Sequence, residues 1–214
     1  MDLHKDVIKY DLVWIGEVHG IRENYDAYKI ILPKLARNGF KDILWEMPYD
    51  FSRESMSTED GRISSFSIDF LEWIHNQIEA GKLDGLTLFG NRKPEKKNGT
   101  IDYEETMAEE MLEIIRGNEA KKYVILTGNY HMQKSDKRGS TTEKCIDYIE
   151  KKTELKILTI ELKYSGGTFY NYGARKLPDS STARDAKLET LEYGDVLKLN
   201  VGEAHAVFKN PTTL

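Results

Sequence analysis

The sequence predicts an α/β fold with a mostly parallel central sheet flanked by helices and a short antiparallel β-rich C-terminal segment. Two observations carry this expectation. Five short, apolar, β-rich runs alternate with stretches of helical period, and a parallel strand pair needs a long crossover, which a helix supplies. After Leu162 the helical period stops, Gly166-Gly167 intervenes, and only short β-like pieces follow.

The first run, Tyr10 to Ile15, reads as a buried parallel strand ending at Gly16. Tyr28, Ile31, Leu32 and Leu35 then recur at helical spacing, and Gly39 stands where a helix would be capped. Ile43-Leu44-Trp45 is the second strand, and Phe66, Phe70, Trp73, Ile74 and Ile78 form one face of a second helix. Leu86 to Phe89 follows as the third strand, with a helix carrying Met107, Met111, Ile114 and Ile115 in register behind it. Tyr123 to Leu126 is the fourth strand, residues 141–152 a helix, and Lys156 to Leu162 the fifth strand.

The β-like pieces of the tail fall at residues 168–172, 195–201 and 205–208, read as an antiparallel edge or cap. Residues 50–65 and 92–100 read as loops that shape a pocket mouth. Length and the absence of internal repeats predict a single domain over 1–214, with its core in 10–162 and a capping tail in 163–214.

Of the 214 residues, 39% are hydrophobic and 31% charged, enough to bury a core beneath a solvated surface. A net charge of -5, from 31 Lys and Arg against 36 Asp and Glu, argues against a nucleic-acid partner. No stretch approaches the ~18 continuous apolar residues of a membrane span, and Met1 to Asp6 lacks the basic start and apolar core of a signal peptide, so a cytoplasmic protein with no membrane partner is expected. Cys145, the single cysteine, can form no internal disulfide and is expected in mid-helix.

In an open parallel sheet the ligand sits at the carboxyl ends of the strands. The chemistry-bearing residues collect there: Glu17 and His19 after the first strand, Glu46 after the second, Asn91 after the third, and Asn129, Tyr130 and His131 after the fourth. The two histidines occupy matching Gly-x-x-His units, Gly16 to His19 and Gly128 to His131, in which the glycine is expected to let the chain turn sharply. Arg22 and Glu23 are expected on the exposed first turn of a helix starting near Gly20. Glu46, between Ile-Leu-Trp and Met-Pro, is a carboxylate in apolar surroundings that needs a partner, which His19, Arg22 or a metal ion could supply. His205, in Gly202-Glu203-Ala204-His205, repeats the spacing in the tail, while His4 and His75 lie away from any strand end.

Neither a G-x-G-x-x-G after a strand, nor a phosphate-binding G-x-x-x-x-G-K-[ST], nor a G-x-S-x-G nucleophile elbow occurs. The rim of glutamates and histidines therefore reads as a functional site that needs no covalent nucleophile. His19 is the expected general base, since a histidine of ordinary pKa ~6.5 suits proton abstraction near neutrality. Glu46 would orient the imidazole or the water, Arg22 would meet the developing oxyanion or a substrate carboxylate, and Glu17 and His131 would complete the cavity. Glu23, Asn91, Asn129 and Tyr130 are the candidate substrate contacts, and the partner is a small molecule.

At these residues the chain resembles the superfamily that joins erythromycin esterases, ChaN-type haem-uptake proteins and the Tiki/TraB proteases. Gly16-Glu17-Val18-His19-Gly20-Ile21-Arg22-Glu23-Asn24-Tyr25 is similar to the esterase signature Gly-Glu-x-x-His-Gly-x-Arg-Glu-x-Tyr, with one residue fewer between Glu17 and His19. Glu46 matches the glutamate closing their second strand, and Glu105 to Glu110 is similar to their Arg-Asp-x-x-Met-Ala-x-Asn helix with the Arg-Asp pair lost or shifted. Gly128-Asn129-Tyr130-His131 resembles the ChaN form, Gly-Asn-Gly-His.

The resemblance spans residues 10–135 and implies hydrolysis of an ester or amide. Its Tiki side implies a metal-dependent peptidase variant, with one divalent zinc or manganese among Glu17, His19, Glu46 and His131; water activated without metal is the other form of the same chemistry. Its ChaN side implies instead a binding protein without turnover that holds haem or another planar ligand, with Tyr130 as a candidate axial ligand. A toxin-like or defence effector acting on a host molecule is a third class.

Overall fold

The computed structural model describes residues 7–49, 60–94, 96–97, 100–118, 120–133, 143–162, 168–170 and 174–176. After a short turn of helix at Val7–Lys9, the elements run β1 (Leu12–Glu17), α1 (Glu23–Ala36), β2 (Phe40–Glu46), α2 (Ser65–Glu79), β3 (Gly85–Phe89), β4 (Lys96–Lys97), β5 (Thr100–Ile101), α3 (Tyr103–Arg116), β6 (Lys122–Gly128), α4 (Cys145–Lys152), β7 (Ile157–Glu161), β8 (Thr168–Tyr170) and β9 (Ala174–Lys176). β1, β2, β3, β6 and β7 form one sheet of five parallel strands in the order β3-β2-β6-β1-β7, and the four helices flank it.

Strand alternation sorts the sheet's side chains into two layers. Val13, Ile15, Ile43, Trp45, Val124 and Leu126 pack beneath α1 and α2, against Tyr25, Tyr28, Ile31, Phe70 and Ile74. Leu12, Trp14, Leu44 and Ile125 face the other way, onto Met111, Leu112 and Ile115 of α3 and Ile146 and Ile149 of α4. Both faces being covered explains why the strands read as continuous apolar runs.

Several boundaries differ from the expected ones, each for a local reason. β1 runs on through Gly16 and Glu17, and β6 through Gly128, because both glycines stay in extended pairing with neighbouring strands. α1 starts at Glu23 and not near Gly20, whose φ of 80° marks a turn that helix backbone does not contain. Cys145 is the first residue of α4, not a mid-helix residue, since the backbone N–H of Lys144 is accepted by Asp147 at 2.8 Å and opens the helix there; residues 141–142 lie outside the described residues.

The expected loop over 92–100 contains β4 and the first residue of β5, which pair antiparallel, in keeping with the β-branched Thr100-Ile101. The loop over 50–65 is described only from residue 60, and α2 begins at its last residue. In the tail, β8 and β9 form their own antiparallel pair and not an edge of the main sheet. The pieces expected at 195–201 and 205–208, with His205, lie outside the described residues, as does His4. No helix among the described residues is long and apolar enough to cross a membrane.

A cavity of about 440 Å3 lies between α1 and α2, lined by Pro33, Arg37, Lys41, Trp73, Lys82 and Leu83. Lys41 and Leu83 place it at the amino ends of β2 and β3, opposite the carboxyl ends that carry the polar residues.

Candidate functional site

Three neighbouring strands, β2, β6 and β1, end side by side and carry the site. Glu17, the last residue of β1, is 3% exposed and stands on the same side as Val13 and Ile15. It accepts the hydroxyl of Tyr28 from α1 on Oε2 and meets Nδ1 of His19 at 2.9 Å through Oε1. α1 holds the turn that carries His19 in a second way, Asn24 Nδ2 donating to the Val18 carbonyl at 2.8 Å.

Glu46 closes β2 and is 5% exposed. Its Oε2 accepts the Gly128 N–H at 2.9 Å and its Oε1 accepts Arg62 Nη1 at 3.2 Å. Nε2 of His19 lies 3.7 Å and Nε2 of His131 3.9 Å from the same Oε2, both beyond hydrogen-bond length. His131 is anchored like His19, its Nδ1 lying 3.0 and 3.1 Å from the two oxygens of Glu104, which is buried in the first turn of α3. Glu104 Oε2 also accepts the Cys145 N–H at 2.9 Å. Two imidazoles, each tied through Nδ1 to its own carboxylate, thus turn Nε2 toward one oxygen of a third.

The glycines of the two Gly-x-x-His units act through space and not through backbone freedom, for neither has a positive φ. A Cβ on Gly128 would stand 2.9 Å from His19 Nε2, and one on Gly16 would stand 2.2 Å from Met132 Sδ and 2.9 Å from Asn129 Cα. β6 therefore leaves the room that the His19 ring occupies.

Charge follows from this packing. Burial lowers the pKa of His19 most among its separate causes, but the Glu46 charge, the Glu17 hydrogen bond and the Glu17 charge together outweigh it, so His19 is held above 6.5. For Glu46 burial again acts first, upward, and is outweighed by His19, His131, Arg62 and the Gly128 N–H, which hold its carboxyl below the usual 4.5. Asp60 is likewise held low, burial being outweighed by Arg62, which meets it at 2.6 Å.

Glu17, His19, Glu46 and His131 are brought together. Arg22 is not with them: it is exposed, its guanidinium 5.1 Å from the Phe66 ring centre, and Arg62 is the cation on Glu46. Glu23, expected on an exposed turn, is 3% exposed, because the helix entering at this residue turns that face into the molecule. Asn91 clamps the rim, its Oδ1 accepting the Tyr49 N–H at 2.9 Å and its Nδ2 donating to the Met47 carbonyl at 2.8 Å. Asn129 reaches Glu161 at 3.4 Å, and its N–H donates to the Glu17 carbonyl at 2.7 Å. Tyr130 is half exposed, edge-on to His131, with Lys144 Nζ 3.3 Å from its ring centre.

Tyr28, Asp60, Arg62 and Glu104 belong to the site and were not singled out by sequence reasoning. For Glu104 a signal exists: in the resembled helix pattern the acidic residue stands three before Met, and Glu104 stands three before Met107.

The donor set does not fit a resident divalent metal. Both oxygens of Glu46 already accept hydrogen bonds, and Arg62 supplies the positive charge beside them. No three His, Cys, Asp or Glu side chains among the described residues are arranged to hold a metal ion.

A scan of protein-family models and a search of curated proteins give no match. Solved structures similar to this chain include the type III effector HopBA1, at 14% identity over 79% of this chain and 85% of that one, with a TM-score of 0.47. Another is the C-terminal region of Pasteurella multocida toxin, reported with a thiol-protease-like catalytic triad, at 12% identity over 90% of this chain and 29% of that one, with a TM-score of 0.45.

Cys145, the single cysteine, lies under the site. It is fully buried, and burial first, then the charges of Glu104 and Glu46, push its thiol well above the ordinary range.

Proposed function

We propose that the protein hydrolyses an ester or amide bond of a small molecule, using water activated by His19 without a covalent enzyme intermediate. The observation that supports this most is the convergence of His19 Nε2 and Glu46 Oε2, with Glu17 holding the far side of the imidazole. With its Nδ1 proton held by Glu17, a neutral His19 presents a bare Nε2 to a water, the tautomer a general base needs.

Tyr28 on the other Glu17 oxygen keeps that carboxylate in place. When the base takes its proton, Glu46 stabilises the imidazolium, and Arg62 keeps Glu46 ionised until then. The resemblance to the erythromycin esterase, ChaN and Tiki superfamily supports the same chemistry, and the bonds already made by Glu46 favour its metal-free form.

The test is turnover of a panel of esters, lactones and peptides by wild type and His19→Ala, with and without added zinc or manganese. We expect hydrolysis by wild type independent of metal and a loss of about 10²–10⁴-fold in His19→Ala with the fold retained. Equal turnover by the two proteins, or no turnover of any member by folded wild type, overturns the reading.

A further inference from the structure

Resting on the reading above, we infer that Glu104 is the positioning residue of a second proton carrier, His131, and that the substrates are esters or amides whose leaving groups need protonation. The site holds two complete imidazole–carboxylate pairs where activation of water requires one. Glu17 and His19 come from one end of β1, Glu104 from α3 and His131 from the turn after β6, so nothing in chain proximity forces the second pair to form.

Glu104 is spent wholly inward. It is 7% exposed, meets His131 Nδ1 with both oxygens, and takes the Cys145 N–H that opens α4. That geometry fixes the ring with Nε2 3.9 Å from Glu46 Oε2, the same oxygen that His19 Nε2 approaches to 3.7 Å. Held through Nδ1, the ring keeps Nε2 as the atom from which a proton can be donated.

The step balances with no co-reactant beyond water. His19 Nε2 accepts one proton of the water, and the water oxygen bonds to the acyl carbon. The bond from that carbon to the leaving oxygen or nitrogen breaks with its electron pair on the leaving atom, which receives the proton from His131 Nε2. Glu46 Oε2, 3.7 Å from one Nε2 and 3.9 Å from the other, then lets the proton gained by His19 return to His131. An alkoxide or amide anion leaves poorly without that proton, while a nitrophenolate leaves without help.

The experiment has a kinetic arm and a structural arm. Esters of one acyl group with leaving groups from p-nitrophenol to ethanol are hydrolysed by wild type, His19→Ala, Glu104→Gln and Glu104→Ala. Loss in the Glu104 variants should grow with the leaving-group pKa, reaching about 100-fold or more for the ethyl ester, while loss in His19→Ala is large throughout the series. Equal loss across the series in the Glu104 variants overturns the acid role.

Ring nitrogen shifts of His131, assigned with His131→Gln, read the structural arm without any substrate. The neutral ring should carry its proton on Nδ1 in wild type and pass it mainly to Nε2 in Glu104→Ala; an unchanged tautomer overturns the positioning role. Should Glu104→Ala not fold, Glu104→Gln keeps an acceptor for the Cys145 N–H while it removes the charge and one acceptor oxygen, so the kinetic arm still decides. Absence of turnover across the whole series counts against the hydrolase reading, and with it the leaving-group inference, while the tautomer arm is judged by itself.

Discussion

At Glu46 one carboxylate takes an Arg62 guanidinium, a backbone N–H and the Nε2 faces of two histidines. A base held above 6.5 works only once deprotonated, so kcat/KM should rise with pH through a midpoint above 6.5. Replacing Glu46 with Gln removes the leading charge that raises His19, and the pH–rate profile should then turn at lower pH; an unmoved midpoint would separate the limb from His19. Gly128→Ala tests the space argument. With a Cβ 2.9 Å from His19 Nε2, the ring must move, so we expect turnover to fall at least tenfold, at a stability cost of about 1–3 kcal/mol by denaturant titration.

The elements matter through their ends. α3 begins on Asp102, whose Oδ1 accepts the Glu105 N–H at 3.0 Å and whose Oδ2 accepts the Tyr148 hydroxyl of α4 at 2.5 Å. One residue therefore caps the helix that carries Glu104 and ties it to the helix opening on Cys145. Asp102→Ala should cost about 1–2 kcal/mol in urea unfolding. A loss below about 0.3 kcal/mol would mean that the cap does not hold this helix start. α2 starts instead on a reciprocal Ser64–Ser67 capping box, two residues after Arg62, which fixes where the chain carrying that arginine enters the helix.

Across the molecule, the layer over α1 and α2 links packing to the site. Phe70, fully buried, meets Tyr25, Tyr28, Trp45 and Trp73 with ring centres 5.2 to 5.7 Å apart, and Tyr28 is the donor to Glu17. Phe70→Ala should cost about 3–5 kcal/mol in chemical denaturation and lower activity as well, because Tyr28 loses the ring that holds it.

Stability should also follow pH with a defined shape. His19, raised in the fold, contributes stability that is fully present below 6.5 and is lost as pH rises through its folded value. Glu46, lowered in the fold, contributes stability present above 4.5 and lost as pH falls through its folded value. Tm should accordingly peak between these two pH values, and His19→Gln should flatten the alkaline slope. A Tm that climbs steadily above 6.5 in wild type would contradict the pairing.

The alternation of β-rich runs with helical periods determined the α/β class, because burial of a strand or a helix face writes its period directly into neighbouring residues. The same logic made Glu17, His19, Glu46 and His131 legible, each at or just beyond the carboxyl end of a strand. Tertiary structure alone decided the order β3-β2-β6-β1-β7, since a crossover states that two strands are parallel and not which strand lies between them. It also decided which cation meets Glu46. Arg22 is nearer to His19 along the chain, but the path into α2 brings Arg62 to the carboxylate and leaves Arg22 over Phe66. Tyr28 looks like an ordinary helix residue, and Glu104 gives no local sign of its histidine partner, until α1 and α3 pack on opposite faces of the sheet, because a side chain's partner across a layer is set by packing over distances that no local period records.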